Sequence, residues 1–208
     1  MKLLQIRTGS IQEYRSSRTA WTSAIRKIPF GGSVTVSVLG IEGDDQADKV
    51  NHGGADKAIL CYAREHYERW SLELGSSAPP EGTLGENFEL GGATEEVVCI
   101  GDIFQITGAV MQISQPRQPC WKPAQLHGLP HLTSHILKTG RTGWYLRVLQ
   151  GGTVRAPADT NLLERPHPLW TVARATRVMH FEKDASLRAD LAQLEGLSPA
   201  WKDALSRK

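Results

Sequence analysis

The most reactive side chains of this sequence are concentrated in residues 113–123, which read ISQPRQPCWKP. This segment holds the thiol of Cys120 and two cations, Arg117 three residues before it and Lys122 two residues after it. Cations near a thiol stabilise the thiolate, which is the form that attacks electrophiles and binds soft metals. The segment therefore predicts a reactive or metal-binding cysteine. Composition alone leaves a buried, inert thiol as the alternative.

The same segment contains three prolines, which limit the backbone around Cys120. Each proline fixes φ at about −65° and lacks a backbone hydrogen-bond donor. We therefore predict that residues 113–123 form a stiff loop that belongs neither to a helix interior nor to a central strand.

Five short segments combine glycine with polar residues, and each alone is typical of a plain turn. Glycine lets the backbone bend sharply and approach a ligand, so that N–H groups can bind phosphate oxygens. Together with a cysteine between Arg and Lys, they predict a site for an anionic cofactor rich in heteroatoms. None matches the dinucleotide-binding or P-loop pattern. The segments are residues 40–44, 52–57, 85–87, 101–102 and 140–144, and the first two lie in a polar stretch too long for an ordinary connection.

Histidine residues offer further candidates for chemistry. His52 lies in the second glycine segment, where it could act as a general base, contact a phosphate, ligate a metal or only stabilise the turn. His131 and His135 are four residues apart, as in a helical zinc motif, but no glutamate is adjacent. With His127 they form a cluster that we predict to be structural. The sequence has no GxSxG motif, so serine hydrolase chemistry has no support.

The elements that must position these residues are mostly short strands. Residues 33–39 alternate strictly, with β-branched side chains on one face. The turns at Thr107-Gly108 and Gln150-Gly151-Gly152 each predict a hairpin, and residues 64–74 and 129–138 have helical periodicity. We predict a mainly β fold, an antiparallel barrel or sandwich with a few short helices. The other predicted strands are residues 3–7, 58–62, 97–106, 109–114, 144–149 and 153–156, with another after residue 87.

Residues 165–208 follow a different pattern. Arg165-Pro166-His167-Pro168 resembles a linker, and three helical segments follow it. The first covers residues 171–180, the second begins at a cap formed by Asp184, and the third opens with Ser198-Pro199. We predict two domains, residues 1–164 and residues 165–208. Because charge in the tail is near balance, we favour packing, dimerisation or docking of a redox partner over a helix-turn-helix nucleic-acid module.

Length and charge narrow the class of protein. The chain has 208 residues, a formal net charge of +2 and interspersed acidic and basic residues, which disfavours nucleic acid and membrane surfaces as partners. No apolar run reaches the ~18–20 residues of a membrane span, and the N-terminus lacks a signal-peptide pattern. The three cysteines have no CxxC spacing, so we predict neither a disulfide framework nor a structural zinc site. We expect a reduced, cytoplasmic protein.

In their order along the chain, these segments resemble the MOSC domain, a family related to the C-terminal domain of molybdenum-cofactor sulfurases. The resemblance covers roughly residues 3–163, and the C-terminal segment is similar to the three-helix extension of the YiiM-like bacterial branch. The motifs that carry it are LGIEGD at residues 39–44, His52-Gly53-Gly54, Gly85-Glu86-Asn87, Gly101-Asp102 and SQPRQPC at residues 114–120.

The resemblance implies a β-barrel-like fold, binding of a molybdenum cofactor of the molybdopterin type, and a cysteine that ligates molybdenum or carries sulfur. Cys120 matches this cysteine. Thiolates are soft ligands suited to such a metal, and cations suit a phosphate. The residues that we assign to cofactor binding are His52, Gly53, Gly54, Asn87, Arg117 and Lys122, with Asp102 and Arg141 as weaker candidates.

Related reductases take oxygen off N-hydroxylated compounds, including hydroxylaminopurine-type base analogues, with electrons from a separate reductase. The resemblance therefore implies a molybdenum-dependent oxidoreductase with a role in detoxification. Its partners are a small N-hydroxylated substrate and an electron-donor reductase, and a homodimer is compatible with the sequence. The alternative is a non-catalytic carrier of sulfur or of the cofactor, with a persulfide on Cys120. A carrier needs an accessible thiol, whereas a metal ligand lies inside a pocket.

Overall fold

The centre of the protein is a closed barrel of seven strands, in a computed structural model that describes residues 1–15 and 19–207. The strands are β1 (Lys2–Thr8), β7 (Ile59–Ala63), β8 (Phe88–Gly91), β9 (Ile103–Ile106), β10 (Ala109–Pro116), β11 (Trp144–Gln150) and β13 (Ala158–Glu164). Their order around the barrel is β13-β9-β10-β11-β7-β8-β1. The barrel closes where Lys2 and Leu3 pair with Asp159 and Ala158. The prediction of a mainly β, barrel-like fold is confirmed.

Alternating apolar residues fill this barrel. Ala109, Met111 and Ile113 of β10 are fully buried, while Val110 and Gln112 between them are partly exposed. Neighbouring barrel strands are antiparallel except β7 and β8, which are parallel and are joined by a crossover helix, α1 (Arg64–Leu74). This helix covers the outer face of β7, so β7 is buried on both faces. The predicted helix over residues 64–74 is confirmed.

Shorter strands surround the barrel. β2 (Gln12–Arg15) and β3 (Ala20–Ser23) form a hairpin, and β4 (Ile28–Phe30) pairs with the end of β1. β5 (Ser33–Ser37) pairs with both β6 (Gly40–Ile41) and β12 (Gly152–Arg155). The strand predicted from the alternating pattern of residues 33–39 is therefore present, but it ends at Ser37 and residues 38–39 form a turn. The β2–β3 hairpin has no comparable signal in the sequence.

The two predicted hairpins have different outcomes. β9 and β10 pair across Thr107-Gly108, as predicted. The prediction at Gln150-Gly151-Gly152 is wrong, because β11 pairs with β10 and β7 whereas β12 pairs with β5. The chain changes sheets here, and the glycines allow it: a Cβ on Gly152 would clash with the carbonyl oxygen of Gly108.

The proline-rich segment is more regular than predicted. β10 runs to Pro116, and α2 (Trp121–His127) begins directly after Cys120. Pro123 lies in the first turn of α2, where a backbone N–H has no partner within the helix, so its missing donor costs nothing. The loop prediction therefore holds only for residues 117–120.

Two other predicted boundaries are also corrected. In residues 97–106, only Ile103–Ile106 is a strand, because Asp102 accepts a hydrogen bond from the backbone N–H of Cys99 (2.9 Å) and holds the preceding residues in a turn. The helix predicted at residues 129–138 is α3 (Leu132–Thr139), which ends at Gly140 with positive φ.

Three helices follow the barrel: α4 (Val172–His180), α5 (Ala185–Gln193) and α6 (Pro199–Ser206). Asp184 caps α5 and Ser198 caps α6, as predicted. Leu191 and Trp201 are buried in the same hydrophobic cluster as the barrel interior, so the three helices share its core. No helix in the described ranges has the length and apolar character needed to cross a membrane.

Candidate functional site

The reactive segment borders a polar cleft with about 580 Å³ of empty space, including its open mouth. Residues from four separate parts of the chain supply the walls, together with Leu60 of β7 and Tyr145 of β11. The four parts are residues 23–27, 45–57, 84–87 and 117–122. A concave site assembled from distant polar segments is typical of ligand binding.

Cys120 lies at the junction between β10 and α2 and lines this cleft. Cys120 is a free cysteine, is half-buried as a residue, and does not cap the helix through its sulfur. The backbone around it is fixed, because the Thr133 hydroxyl donates to the carbonyl of Cys120 (3.1 Å). The backbone of Cys120 is therefore held in place, while its sulfur lines the cleft and forms no disulfide.

Arg117 is a buried cation on the same wall, with 4% of its surface exposed. Its Nη2 donates to the carbonyl of Leu84 (2.8 Å), and its backbone N–H donates to the carbonyl of Gly143 (3.0 Å). Its Nη1 is buried without a hydrogen-bond partner in the described structure. Since an unsatisfied buried charge is costly, this nitrogen calls for an anionic partner.

Two lysines extend the positive wall. The Nζ of Lys122 donates to the carbonyl of Thr22 (3.3 Å), and the Nζ of Lys57 donates to the carbonyl of Asn51 (2.8 Å). Within residues 1–15 and 19–207, neither lysine forms an ion pair. Burial lowers the pKa of Lys57, so an anion beside it would also stabilise its charged form. Asp45 and Asp48 also line the cleft, so it is the wall formed by Arg117, Lys122 and Lys57 that is suited to an anionic ligand.

A short helical turn, Ala55–Lys57, places Lys57 at the cleft. Asp56 of this turn forms an ion pair with Arg147 of β11 (2.6 Å). The hydroxyl of Ser114 donates to the carbonyl of Asp56 (2.5 Å). Both contacts tie this turn to the barrel strands.

His52 and Tyr145 add neutral polar groups to the cleft. Burial, together with the charges of Arg117 and Lys122, lowers the pKa of His52 to about 4, so its imidazole is neutral at pH 7. Burial raises the pKa of Tyr145 to about 12, so its hydroxyl keeps its proton. Each side chain can donate a hydrogen bond to a ligand without carrying charge.

Asp44 holds the opposite wall together. Its carboxylate, 1% exposed, forms an ion pair with Lys27 (2.5 Å) and accepts from the backbone N–H of Gly9 (2.8 Å). It also accepts from Nδ2 of Asn87 (2.9 Å), whose Oδ1 accepts from the backbone N–H of Leu60 (3.1 Å). Asn87 thus lines the cleft as predicted, but its amide is largely occupied in joining the wall to β7.

Gly53 and Gly54 follow His52 but do not line the cleft. A Cβ on Gly53 would approach Cα of Lys49 to 3.2 Å, and Gly54 has a φ of 89°. Close packing therefore explains the glycine at position 53, and the positive φ explains the glycine at position 54.

Asp102 and Arg141 lie elsewhere, so the structure does not bring them to the predicted site. Asp102 is fully buried and forms an ion pair with Arg165 (2.6 Å). Arg141 donates two hydrogen bonds to Glu73 (2.9 and 2.6 Å) and lies over the ring of Trp70. Both side chains are used in structural contacts, which satisfies their charges.

Several cleft residues were missed by sequence reasoning. Lys27, Tyr145 and residues 23–25 belong to segments without a glycine or cysteine motif. The one signal for Lys27 is indirect: the buried carboxylate of Asp44, which is part of the LGIEGD motif, requires a cation.

Residues 48–159, which include His52, Asn87, Arg117, Cys120 and Lys122, match the family model of the MOSC domain. The chain belongs to the MOSC domain family.

Full-length relatives of this MOSC protein extend the match. It is 37% identical to YflK of Bacillus subtilis (strain 168) over 99% of this chain and 93% of that protein. It is 36% identical to a protein named "Reductase" from Gibberella moniliformis, over 92% of this chain but 35% of that protein. The crystal structure of YiiM from Geobacillus stearothermophilus has a TM-score of 0.81 and 33% identity, covering 98% and 96% of the two chains. The predicted resemblance to the YiiM-like branch is confirmed.

MOSC domains are associated with the molybdenum cofactor, and the residues of this cleft fit such a group. The Nη1 of Arg117, which has no partner among the described residues, and the ammonium groups of Lys57 and Lys122 suit a phosphate. The partly exposed thiol of Cys120 suits a soft metal. In the described part of the chain, no cluster of three or more His, Cys, Asp or Glu could hold a metal ion.

Proposed function

We propose that this MOSC protein binds a molybdenum cofactor of the molybdopterin type and reduces N-hydroxylated compounds. In this proposal Cys120 is the protein ligand of molybdenum. The observation that carries the proposal is the meeting of two groups in one cleft: the free thiol of Cys120 and the buried guanidinium of Arg117, whose Nη1 has no hydrogen-bond partner among the described residues. These groups suit two different parts of such a cofactor, its metal and its phosphate.

The remaining cleft residues have supporting roles in this proposal. Lys122 and Lys57 would share the phosphate charge with Arg117, because neither forms an ion pair within the described ranges, although Asp48 and Asp56 interact electrostatically with Lys57. Asn87 would fix the wall rather than bind the cofactor, since its amide is already hydrogen bonded. The assignment of Gly53 and Gly54 to cofactor binding has less support, because both glycines are explained by the local backbone.

The proposed reaction balances with two electrons and two protons. In R–NH–OH the N–O bond breaks, the nitrogen product is R–NH₂, and the oxygen leaves as water. When bound, the cofactor supplies the two-electron redox chemistry. The electrons come from a separate electron-transfer reductase.

This chain contributes substrate binding and hydrogen bonding to that reaction. His52 and Tyr145 are both uncharged at pH 7 and can donate hydrogen bonds to the N–OH group. Neutral donors suit this task, because they bind a neutral substrate without competing with the cations for the cofactor phosphate.

The choice of a reductase over other molybdenum chemistry is supported by the Gibberella relative named "Reductase". As substrates we propose hydroxylaminopurine-type base analogues, which would give the protein a role in detoxification.

The test compares wild-type protein with Cys120→Ala and with a control, Cys99→Ala, all produced in cells that make the cofactor. Cys99 is buried outside the cleft, so the control removes a thiol without touching the site. Molybdenum is measured by mass spectrometry and the pterin by fluorescence of its oxidised form. Reduction of N-hydroxylaminopurine is measured with reduced methyl viologen as electron donor.

We expect molybdenum close to one atom per chain and substrate turnover in the wild type and in Cys99→Ala, and neither in Cys120→Ala. Cofactor without turnover in the wild type would instead favour the carrier hypothesis, which the partial exposure of Cys120 permits. Absence of molybdenum and pterin from all three proteins would refute cofactor binding.

A further inference from the structure

An aromatic ladder lies beside the cleft. The rings of Tyr14 and Trp21 on the β2–β3 hairpin stack with centroids 4.3 Å apart and planes inclined by 14°. Trp21 in turn makes an edge contact with Trp121, with centroids 5.4 Å apart. Three aromatic side chains from two distant parts of the sequence therefore form one continuous surface.

The ladder lies at the edge of the cleft. Trp121 is between Cys120 and Lys122, which both line the cleft, and Trp21 is two residues before the lining residue Ser23. The Nζ of Lys122 donates to the carbonyl of Thr22 (3.3 Å), so the hairpin and the start of α2 are connected directly. Trp121 is therefore the next residue after the one to which the proposed function assigns the N–OH group of a substrate.

The exposure of Trp121 is unusual for a tryptophan. Trp121 is 50% exposed, although tryptophan side chains are mostly buried on average. Its ring does not need to be ordered by a ligand, because Trp21 and Tyr14 already support it. An exposed aromatic ring that is held rigidly loses little entropy when a second flat ring stacks on it.

We propose that Trp121, supported by Trp21, is a stacking platform that selects planar heteroaromatic N-hydroxylated substrates over small or non-planar ones. The inference rests on the proposed reductase function and adds a specificity-determining residue to it. Flat rings gain contact area and favourable offset stacking on an indole, whereas hydroxylamine has no ring to stack. Trp121 thus acts on substrate preference rather than on the bond that breaks.

The experiment uses the cofactor-loaded full chain in three forms: wild type, Trp121→Ala and Trp121→Phe. Two substrates are compared with reduced methyl viologen as donor, the planar N-hydroxylaminopurine and the ring-free hydroxylamine. Molybdenum content is measured in each preparation, so that rates refer to loaded protein. Binding of adenine, which has the ring without the N–OH group, is measured by calorimetry as a readout independent of turnover.

We expect Trp121→Ala to lower kcat/KM for N-hydroxylaminopurine on the order of tenfold or more, the scale of one lost ring stack. The value for hydroxylamine should change less than twofold, and adenine binding should weaken by a similar factor to the purine substrate. Trp121→Phe should retain most of the kcat/KM for N-hydroxylaminopurine and most of the adenine binding, because it keeps a flat ring. Leu72→Ala, on the exposed surface of α1 and 87% exposed, serves as a control that should change nothing.

Equal losses for both substrates, or unchanged adenine binding in Trp121→Ala, would overturn the stacking inference while leaving the reductase proposal intact. A wild type that reduces neither substrate would refute the reductase function, and the adenine measurement would still decide whether Trp121 binds flat rings. Since Trp121 is half exposed, its replacement leaves the core unchanged, and Trp121→Phe gives a second, milder variant if needed.

Discussion

Arg117 and Cys120 are three residues apart, and the fold prepares them in different ways. Arg117 is fixed by contacts of its backbone and of Nη2, which leaves Nη1 as a preorganised cation without a partner among the described residues. Cys120 has its backbone fixed, but its sulfur is left free. A binding site benefits from this combination, because the charge that attracts an anion is ordered before the ligand arrives.

His52 shows how the same charges shape the pH dependence of the cofactor-free protein. Its pKa falls from 6.5 to about 4 on folding, so between these pH values the unfolded chain binds a proton that the folded protein does not. The contribution of His52 to the free energy of unfolding is therefore largest above pH 6.5. It decreases as pH falls to about 4, by up to about 1.4 kcal/mol per pH unit. We expect the free energy of unfolding to fall less between pH 7 and pH 5 in His52→Gln than in the wild type.

The measurement is urea unfolding of both proteins at the two pH values. His135→Gln provides a control, because His135 lies on α3 and contacts Glu73, away from the cleft. Identical pH dependence in the wild type and His52→Gln would contradict a neutral, half-buried His52.

At the scale of elements, Asp44 joins parts of the chain that form one cleft wall. Its carboxylate binds Lys27 after the β2–β3 hairpin and Asn87 before β8. Asp44→Asn leaves the Lys27 ammonium, 6% exposed, without a counter-charge, and we expect a loss of about 3–5 kcal/mol in unfolding free energy. Urea unfolding of the cofactor-free wild type and variant at pH 7 measures this loss.

The double variant Lys27→Met with Asp44→Asn separates charge burial from other effects. Removing both charges should recover a large part of the lost stability, because the penalty comes from an unpaired buried cation rather than from the lost contact. If the double variant is as unstable as Asp44→Asn alone, the ion pair is not the cause.

Local patterns account for the elements that could be predicted. The alternation in residues 33–39, the cap formed by Asp184 and the turn at Thr107-Gly108 are each decided within a few residues, and the structure contains all three. The segment at Gln150-Gly151-Gly152 has the same local signal as a hairpin, but its two strands join different sheets. Strand pairing depends on distant partners, which a turn motif does not identify.

The candidate site could be predicted only in part for a related reason. Cys120, Arg117, Lys122 and His52 lie in recognisable motifs and meet in the cleft. Asp102 lies in a comparable motif, but Arg165, 63 residues away, takes up its charge. Whether a polar residue is free to bind a ligand is decided by such long-range partners.

For the whole molecule, the central question is how the three C-terminal helices relate to the barrel. Leu191, Leu197 and Trp201 are buried in one hydrophobic cluster with barrel residues such as Ile113. The backbone is joined as well, because the N–H of Ser198 donates to the carbonyl of Ser114 (2.9 Å). Because of this shared core, we expect residues 165–207 to unfold together with the barrel, whereas the division into two domains stays a prediction from the sequence.

Trp201→Ala tests this coupling in the full chain. Trp201 is 2% exposed, and its truncation should lower the unfolding free energy by about 3–5 kcal/mol. Because the core is continuous, hydrogen exchange followed by mass spectrometry should show lost protection in β7 as well as in α6. Leu169→Ala, which removes a 74% exposed side chain from the start of the same segment, should leave the free energy of unfolding and the exchange protection unchanged. Faster exchange confined to residues 165–207, with full protection retained in β7, would mean that the helices are an independent unit and that the cleft does not depend on them.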